Sequence, residues 1–443
     1  MNHTIDEATT KMKYKPEHTP SGYKPSPLGI IPKDWEVKRL GEVCINNGDY
    51  GLNAPATDYD ENLPTYLRIT DIDDDGNFNQ SDKKSVDSPL SENYYLKDGD
   101  IVFARTGATV GKTYLYDKND GELVYAGFLI KFTPDKERIL PYFLKSQTNT
   151  REYANWVSIT SQRSGQPGIN AAEYCSYKFA LPPLSEQKRI CDLLFLWDTA
   201  IAKQTALIEQ LTLRKRGLMQ QLLTGKKRLK GFEGEWKILK LGECGKFLSN
   251  NTLSREQLNE RSGTVQNIHY GDILIKYPSI LDCDKVTLPF ITESAYKDSM
   301  TDFVKNGDIV ISDTAEDETV GKACEVQNIG TNKILAGLHT MLFRPDEGLF
   351  SPFFLGYYIN SEVYHSKLIP LIQGIKVCSI GKQAMQYTTI SIPTIDEQNA
   401  IASVLVNADK EIEIQKQKLA AMQEQKKGLM QVLLTGKRRV TNL

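Results

Sequence analysis

The same helical segment occurs twice in the chain, and this repeat constrains the architecture more than any other feature. GLMQQLLTG at 217–225 returns as GLMQVLLTG at 428–436, an offset of 211 positions. At the same offset, LSEQ at 184–187 returns as IDEQ at 395–398. Self-similarity at a fixed offset marks a repeated structural unit, so we predict two similar halves.

The long blocks before these segments share scattered anchors. They are Trp35 with RLGE at 39–42 and Trp236 with KLGE at 240–243, and also GDIV at 99–102 and at 307–310. Each GDIV predicts a buried strand, and LPYFLK at 140–145 and SPFFLG at 351–356 predict helix starts with proline in the first turn. Between the anchors the residues differ widely, which indicates two copies of one fold whose other residues have diverged.

The repeated segments predict long helices. Apolar residues alternate at spacings of four and three, as in a heptad repeat, with a glutamine and a lysine at matching positions of both copies. Ser185 and Asp396 are suited to cap the helices, Gly225 and Gly436 to end them, and Gly217 and Gly428 predict close packing or a local break. The seam comprises Ile190, Leu194, Trp197, Ile201, Gln204, Ile208, Leu211, Lys215, Leu218 and Leu222, and then Ile401, Leu405, Ala408, Ile412, Gln415, Leu419, Met422, Lys426, Leu429 and Leu433.

These patterns predict an α+β protein. Two mixed α/β domains are separated by two long α-helices that form an antiparallel coiled coil, with an internal pseudo-twofold repeat. The alternative is that each helix only covers its own domain. The expected boundaries are a flexible N-terminal arm at 1–28, a first domain at 29–181, a helical spacer at 182–228, a second domain at 229–392 and a second spacer at 393–443.

Composition excludes several classes. No apolar run approaches the ~20 residues that span a bilayer, and no signal peptide is recognisable at the start, so we expect a cytoplasmic protein. Seven cysteines without a C-x-x-C pair predict neither a disulfide framework nor a zinc site. The net charge is −2, but residues 181–231 carry +6, between two acidic blocks of −5 each.

Two apparent catalytic motifs favour structural roles. GATVGKT at 107–113 is one residue short of a phosphate-binding loop, and a predicted strand follows it instead of a helix. The acidic cluster at 71–75 borders Gly76 and Asn77 and predicts a solvated turn. We find no cofactor-binding glycine-rich loop, no catalytic constellation and no metal-ligand spacing, so neither a catalytic residue, a cofactor nor a metal is expected.

The ordered set of anchors resembles the specificity subunits of type I restriction–modification enzymes over nearly the whole chain. PPLSEQ at 182–187 and PTIDEQ at 393–398 are similar to the family's helix-entry motif, and the GLMQ…LLTG exits match as well. The resemblance implies two target-recognition domains, each of which reads half of a bipartite sequence in double-stranded DNA. It also implies conserved helices that set the gap and dock two methyltransferase subunits. Methylation and ATP-dependent cleavage would belong to those subunits and to restriction subunits.

DNA contacts are expected from polar loop residues, because Arg, Lys, Asn and Gln read base edges while hydroxyl groups bind phosphates. The basic helix ends KKR at 226–228 and KRR at 437–439 are candidates for phosphate or partner contacts, or else are solvated charge clusters that favour the helix dipole. The candidate DNA-binding residues are Gln162, Arg163, Ser164, Gln166, Asn47, Tyr50, Arg68 and Thr70 in the first domain, and Asn250, Arg255, Gln266, Asn267, His269, Gln373 and Lys376 in the second.

Two other functions remain as alternatives. A fused methyltransferase acting alone is disfavoured by the missing cofactor motifs. A non-catalytic coiled-coil scaffold that binds only proteins is disfavoured by the two large, divergent domains with polar loops.

Overall fold

The computed structural model describes residues 19–297, 299–374 and 376–440. The chain divides into two compact units, residues 1–203 with 419–443 and residues 204–418. Both contain helices and strands, as the mixed α/β prediction requires. Among the described residues, no helix is long and apolar enough to cross a membrane.

The described residues of the first unit form twelve strands in four sheets. The sheet orders are β1-β2, β10-β6-β7-β5, β4-β11-β8-β9 and β12-β3. The strands are β1 (Tyr23–Ser26), β2 (Gly29–Pro32), β3 (Glu36–Arg39), β4 (Asp49–Tyr50), β5 (Thr57–Asp58), β6 (Thr65–Leu67), β7 (Lys84–Ser85), β8 (Ile101–Ala104), β9 (Thr113–Leu115), β10 (Leu123–Tyr125), β11 (Leu129–Phe132) and β12 (Lys178–Leu181). The short helices are α1 (Leu40–Val43), α2 (Pro141–Gln147), α3 (Arg151–Thr160) and α4 (Ala171–Cys175).

In the second unit, the residues that the structure describes form thirteen strands in sheets ordered β13-β25, β14-β23-β19-β21-β17, β15-β18-β16-β22 and β20-β24. The strands are β13 (Lys237–Lys240), β14 (Gly245–Leu248), β15 (Leu258–Asn259), β16 (Gln266–Ile268), β17 (Ile280–Asp282), β18 (Phe290–Ile291), β19 (Ile309–Ser312), β20 (Thr314–Ala315), β21 (Ala323–Gln327), β22 (Ile334–Ala336), β23 (Thr340–Pro345), β24 (Cys378–Ser379) and β25 (Thr389–Ile392). The short helices are α6 (Tyr270–Ile275), α7 (Phe354–Ile359), α8 (Glu362–Leu368) and α9 (Lys382–Tyr387).

Two long helices of 39 residues each complete the chain, α5 (Leu184–Leu222) and α10 (Ile395–Leu433). The division between the units falls inside both. All twenty predicted seam residues are buried or half-buried, and the exposed positions of both helices lie off the seam. In the first unit, Ile190 and Leu194 share a core with Leu433. In the second unit, Leu222 shares a core with Ile401 and Leu405.

The repeated motif at the start of each long helix ties that helix to its unit. The Gln187 amide accepts a hydrogen bond from Leu140 N at 2.9 Å and donates to Pro182 O at 2.9 Å. Gln398 does the same with Ser351 N at 2.9 Å and Pro393 O at 3.0 Å. Both glutamines are buried, so the glutamine of the motif satisfies backbone groups at the start of a packed helix or turn.

The glutamate of the motif binds an arginine that follows the partner helix. Glu186 accepts from Trp35 Nε1 at 2.9 Å and from Arg439 Nη2 at 2.6 Å. In the other unit Glu397 accepts from Arg228 Nη2 at 2.6 Å. Arg228 and Arg439 therefore stabilise the fold through these ion pairs, and contact of the basic helix ends with phosphate or a partner stays a prediction.

Several local expectations are confirmed. The strands β8 and β19 follow the two GDIV turns, Pro141 opens α2, and Gly225 and Gly436 adopt left-handed φ of +68° and +72° beyond the helix ends. The GATVGKT segment forms a short 3₁₀ turn at Gly107–Thr109 followed by β9. In the acidic cluster Asp73 accepts from Asn77 N, as in the predicted turn.

Four expectations need correction. The long helices begin before Ser185 and Asp396, and Thr394 Oγ1 accepts from Glu397 N at 3.4 Å, so the cap lies two residues earlier than Asp396. A Cβ at Gly217 or Gly428 would meet no atom within 4 Å, and neither helix breaks there.

The other two corrections concern the predicted arm and the start of α7. Residues 1–18 of the arm lie outside the described residues, but Tyr23–Ser26 forms β1 and pairs with β2. The helix α7 begins only at Phe354, because Phe353 takes a left-handed φ of +73° and donates its N–H to the buried Glu325 carboxylate at 2.6 Å.

Candidate nucleic-acid interface

In the first unit, the end of β8 organises a polar surface. Arg105 follows this buried strand, and its N–H donates to Phe128 O at 3.0 Å. Its carbonyl accepts from Ile169 N at 2.9 Å, and Gly107 N donates to Pro167 O at 3.0 Å. These backbone bonds hold the segment after α3, which contains the predicted polar loop 160–166, beside the strand end.

The predicted residues near this loop lie on the same surface. The Tyr50 hydroxyl accepts from Ala171 N at 3.2 Å, and Asn47 O accepts from Cys175 Sγ at 3.3 Å. Both contacts are made to α4, which follows the loop directly. Asn47 and Tyr50 are exposed, as are the loop residues Gln162, Ser164 and Gln166. We call this set, with Arg105 and Phe128, the first surface.

Arg163 is exposed but its guanidinium is already paired. It donates to both carboxylate oxygens of Glu173, at 2.6 and 2.7 Å, and to the carbonyl oxygens of Thr160 and Gln162 at 2.8 and 2.9 Å. In this arrangement Arg163 braces the loop, and it has few donors left for a base edge.

Arg68 and Thr70 do not join the first surface through any hydrogen bond or ion pair among the described residues. Arg68 donates to the buried Asp71 at 2.6 Å and also contacts Asp82. These carboxylates raise the pKa of the Arg68 guanidinium. Thr70 Oγ1 lies 3.3 Å from Asp71 Oδ1. Arg68 therefore stabilises the turn after β6.

Sequence reasoning missed Arg105 and Phe128. The Arg105 guanidinium lies 4.8 Å from the centre of the exposed Tyr50 ring and donates a long hydrogen bond of 3.5 Å to Gly127 O. Arg105 is half-buried, and no carboxylate of the described residues forms an ion pair with it. Phe128 is 58% exposed. The signal was available, since Arg105 follows the GDIV strand that the repeat identifies.

The second unit has the same backbone frame. Asp313 follows β19, its N–H donates to His339 O at 3.1 Å, and its carbonyl accepts from Ile380 N at 2.9 Å. Asp313 Oδ1 lies 3.5 Å from His339 Nδ1, and Thr314 Oγ1 lies 3.2 Å from the same nitrogen. Asp313 thus occupies the position of Arg105, and His339 that of Phe128.

We define the second surface as Asp313, Thr314 and His339 together with the predicted residues Asn250 and Gln373, and Lys376 follows Gln373 by three residues. Asn250 is exposed and donates to Gly337 O at 3.1 Å, two residues before His339. Gln373 exchanges backbone hydrogen bonds with Ser379, whose strand β24 pairs with β20 next to Asp313. Gln373 and Lys376 are exposed.

Four predicted residues of the second domain do not fit an interface. Asn267 is fully buried and Gln266 half-buried, because both belong to β16, an inner strand of its sheet. His269 is 7% exposed and caps α6 through Nδ1, and burial lowers its pKa. Arg255 is exposed, but it pairs with the buried Asp272. The sequence pattern did not distinguish a polar strand from a polar loop.

The arrangement offers hydrogen-bonding side chains on rigid strand ends, which suits recognition of a polar ligand. Among the residues that the structure describes, no group of three or more His, Cys, Asp or Glu could hold a metal ion.

Comparisons with known proteins agree with the repeat. The family model of the type I restriction modification DNA specificity domain matches twice, at residues 32–213 and 233–424. The chain is 26% identical to the putative type I restriction enzyme MjaX specificity subunit of Methanocaldococcus jannaschii, over 96% of this chain and 98% of the relative. It is 24% identical to the MjaVIII specificity subunit of the same organism, over 93% and 95%.

One solved structure shares the fold. It comes from work on complex assembly and conformational transition of the type I restriction–modification system, and it has a TM-score of 0.59 at 19% identity, over 92% of this chain and 99% of that one. Because the family model matches both halves of the chain, the protein belongs to the type I restriction modification DNA specificity family.

Proposed function

We propose that the chain is the DNA-specificity subunit of a type I restriction–modification complex, and that each unit reads one half of a bipartite target. The observation that carries this proposal is the pair of surfaces at the ends of β8 and β19. The backbone bonds at Arg105 and Asp313 have the same pattern, while the side chains differ in charge. To read two half-sites independently, a protein needs two copies of the same backbone arrangement that carry different polar side chains.

The partners follow from the family. We propose that double-stranded DNA, two methyltransferase subunits and, through the complex, restriction subunits bind to this chain. In this proposal the chain itself catalyses nothing, and adenine methylation and ATP-dependent cleavage belong to the partner subunits. The domain boundaries proposed are those given above, with the first domain extended to include β1.

We further propose that α5 and α10 pair as an antiparallel coiled coil that sets the gap between half-sites, with the chain arranged as a pseudo-twofold repeat. Contacts inside the second unit support the direction. Gln204 Nε2 donates to Gln415 Oε1 at 2.9 Å, and farther along α5 Lys215 Nζ donates to Asp409 Oδ1 at 2.5 Å. The partner residue number falls as the α5 number rises, as antiparallel helices require.

The test is a map of methylated adenines in cells that carry the complete system, with and without this chain. The proposal expects one bipartite motif, two short half-sites separated by a fixed gap, that disappears when the chain is removed. A matched assay of the pure chain with S-adenosylmethionine should give no methyl transfer. A continuous motif, or robust turnover by the chain alone, would overturn the proposal.

A further inference from the structure

Two matching polar groups join the long helices to the recognition domains. In the first unit, Lys426 of α10 donates to Asp198 Oδ1 of α5, and the Tyr142 hydroxyl donates to Asp198 Oδ2. In the second unit, Lys215 donates to Asp409 Oδ1 at 2.5 Å, and the Tyr357 hydroxyl donates to Asp409 Oδ2 at 2.6 Å. Each carboxylate thus binds the facing helix with one oxygen and a helix of the recognition domain with the other.

We infer that these two Lys–Asp–Tyr groups are positioning elements, which fix the register of the paired helices and seat each recognition domain on them, so that the gap between half-sites has a single value. The inference rests on the proposed function. It proposes that six side chains fix the length of the gap, because helix length alone would not prevent the two helices from pairing in another register.

The lysines occupy seam positions where an apolar residue would stabilise the helices more. Their side chains are only 18% and 19% exposed, yet they carry a charge. A polar residue in a coiled-coil seam lowers stability and in exchange specifies register, because any other register leaves it without a partner. A slip of one heptad would move the aspartate by about 10 Å, beyond the reach of the ammonium.

The tyrosines couple that register to the recognition domains. Tyr142 lies in α2, which follows β11, and Tyr357 lies in α7, which follows β23. Burial raises the pKa of both hydroxyls, so each remains a donor to its carboxylate. Tyr357 is 1% exposed, and the Lys215 ammonium lies 5.2 Å from the centre of its ring. A shift of either helix would break the contact with the domain as well.

The two groups share residue types, atoms and geometry although the surrounding residues differ. Lys215 and Lys426, and Asp198 and Asp409, are each 211 positions apart. An ordinary surface ion pair contributes little and is not held to such a pattern. The pair Arg214–Glu411, also in the second unit, shows the contrast, with atoms 3.8 Å apart and side chains 67% and 49% exposed.

The experiment uses the full chain in its complex and maps methylated sites for three variants. The first carries Asp198→Asn and Asp409→Asn, and the second carries Tyr142→Phe and Tyr357→Phe. The control carries Glu411→Gln. The tyrosine variant keeps both ion pairs and both rings, so it answers the question even if the aspartate variant fails to assemble.

In the aspartate variant and in the tyrosine variant, we expect methylation of sites with a gap one base pair longer or shorter to rise roughly tenfold. This ratio corresponds to about 1.4 kcal/mol of lost discrimination between gap lengths. The half-site sequences should not change, and the control should keep the wild-type gap. If the tyrosine variant keeps a single gap in an assembled complex, the inference is wrong and the proposed function stands. If the wild-type map shows no bipartite motif, the proposed function itself fails.

Discussion

The first and second surfaces differ in charge although the backbone holds them in the same way. The Arg105 guanidinium lies 4.8 Å from the centre of the Tyr50 ring, whereas Asp313 at the same position lies 3.5 Å from His339. Arginine is the usual partner of guanine, and aspartate accepts from the amino group of cytosine. The comparison shows one backbone arrangement that carries side chains of opposite charge, and we propose that these side chains select different bases.

The largest expected effect comes from exchanging a whole surface. Replacing residues 29–180 with the same block of a relative should change one half of the target and leave the other half and the gap unchanged. The measurement is a map of methylated adenines for the hybrid. A change in both halves would show that the units do not read independently, and the comparison would lose its basis.

The next effect concerns single residues at matched positions. Arg105→Ala should weaken specific binding by about 1–3 kcal/mol and relax one base of one half-site, if it makes a bidentate base contact. Asp313→Ala should relax one base of the other half-site. Binding of the assembled complex to a panel of single-base target variants measures both. Equal weakening on every sequence would instead identify Arg105 as a phosphate contact.

The units also differ between the segments LPYFLK and SPFFLG, because Lys145 stands where the second copy has Gly356. Burial, and to a lesser extent Lys426, lowers the pKa of Lys145 from 10.5 to about 8. Below about pH 8 the folded protein must bury the charge, so Lys145→Met should stabilise it at pH 7 by about 1–2 kcal/mol. The gain should shrink as the pH rises from 8 to 10.5, because the folded wild type then releases a proton that the unfolded chain retains.

Urea unfolding at pH 7 and pH 10 measures this difference. Lys136→Met, at an exposed lysine, is the control and should have a small effect that is similar at both pH values. If Lys145→Met lowered the free energy of unfolding at pH 7, the contacts of the Lys145 ammonium would stabilise the fold by more than its burial destabilises it.

The smallest effect tests the role of Arg163. Because Arg163 pairs with Glu173 through two hydrogen bonds, Glu173→Gln should loosen the loop and weaken binding by up to about 1 kcal/mol, a typical value for a partly exposed pair. Arg163→Ala should have a similar effect, and the double variant should add little. If Glu173→Gln strengthened binding instead, Arg163 would be a base-reading residue that Glu173 restrains.

The sequence predicted the frame better than the surfaces. The offset of 211 located both long helices, and the repeated GDIV motif located β8 and β19, because a repeated apolar pattern requires a repeated core. Tertiary pairing decided the rest. Arg68, Arg163 and Arg255 were predicted from the sequence to bind DNA. In the structure each forms an ion pair, with Asp71, Glu173 and Asp272 respectively.

Arg105 shows the converse. Its position after the GDIV strand is visible in the sequence, but only the placement of Tyr50 and of the loop after α3 makes it a candidate. Asn267 looked equivalent to Asn250, but it belongs to an inner strand and is fully buried. Such distinctions depend on contacts across the fold that a single sequence does not contain.

The central claim is that the long helices hold two independent readers at a fixed distance. The most direct measurement inserts one heptad at matching positions of α5 and α10, which keeps each seam in phase and adds about 10 Å at ~1.5 Å per residue. DNA rises about 3.4 Å per base pair, so the mapped gap should grow by about three base pairs with both half-sites unchanged. An unchanged gap, with methylation retained by the assembled complex, would contradict the claim.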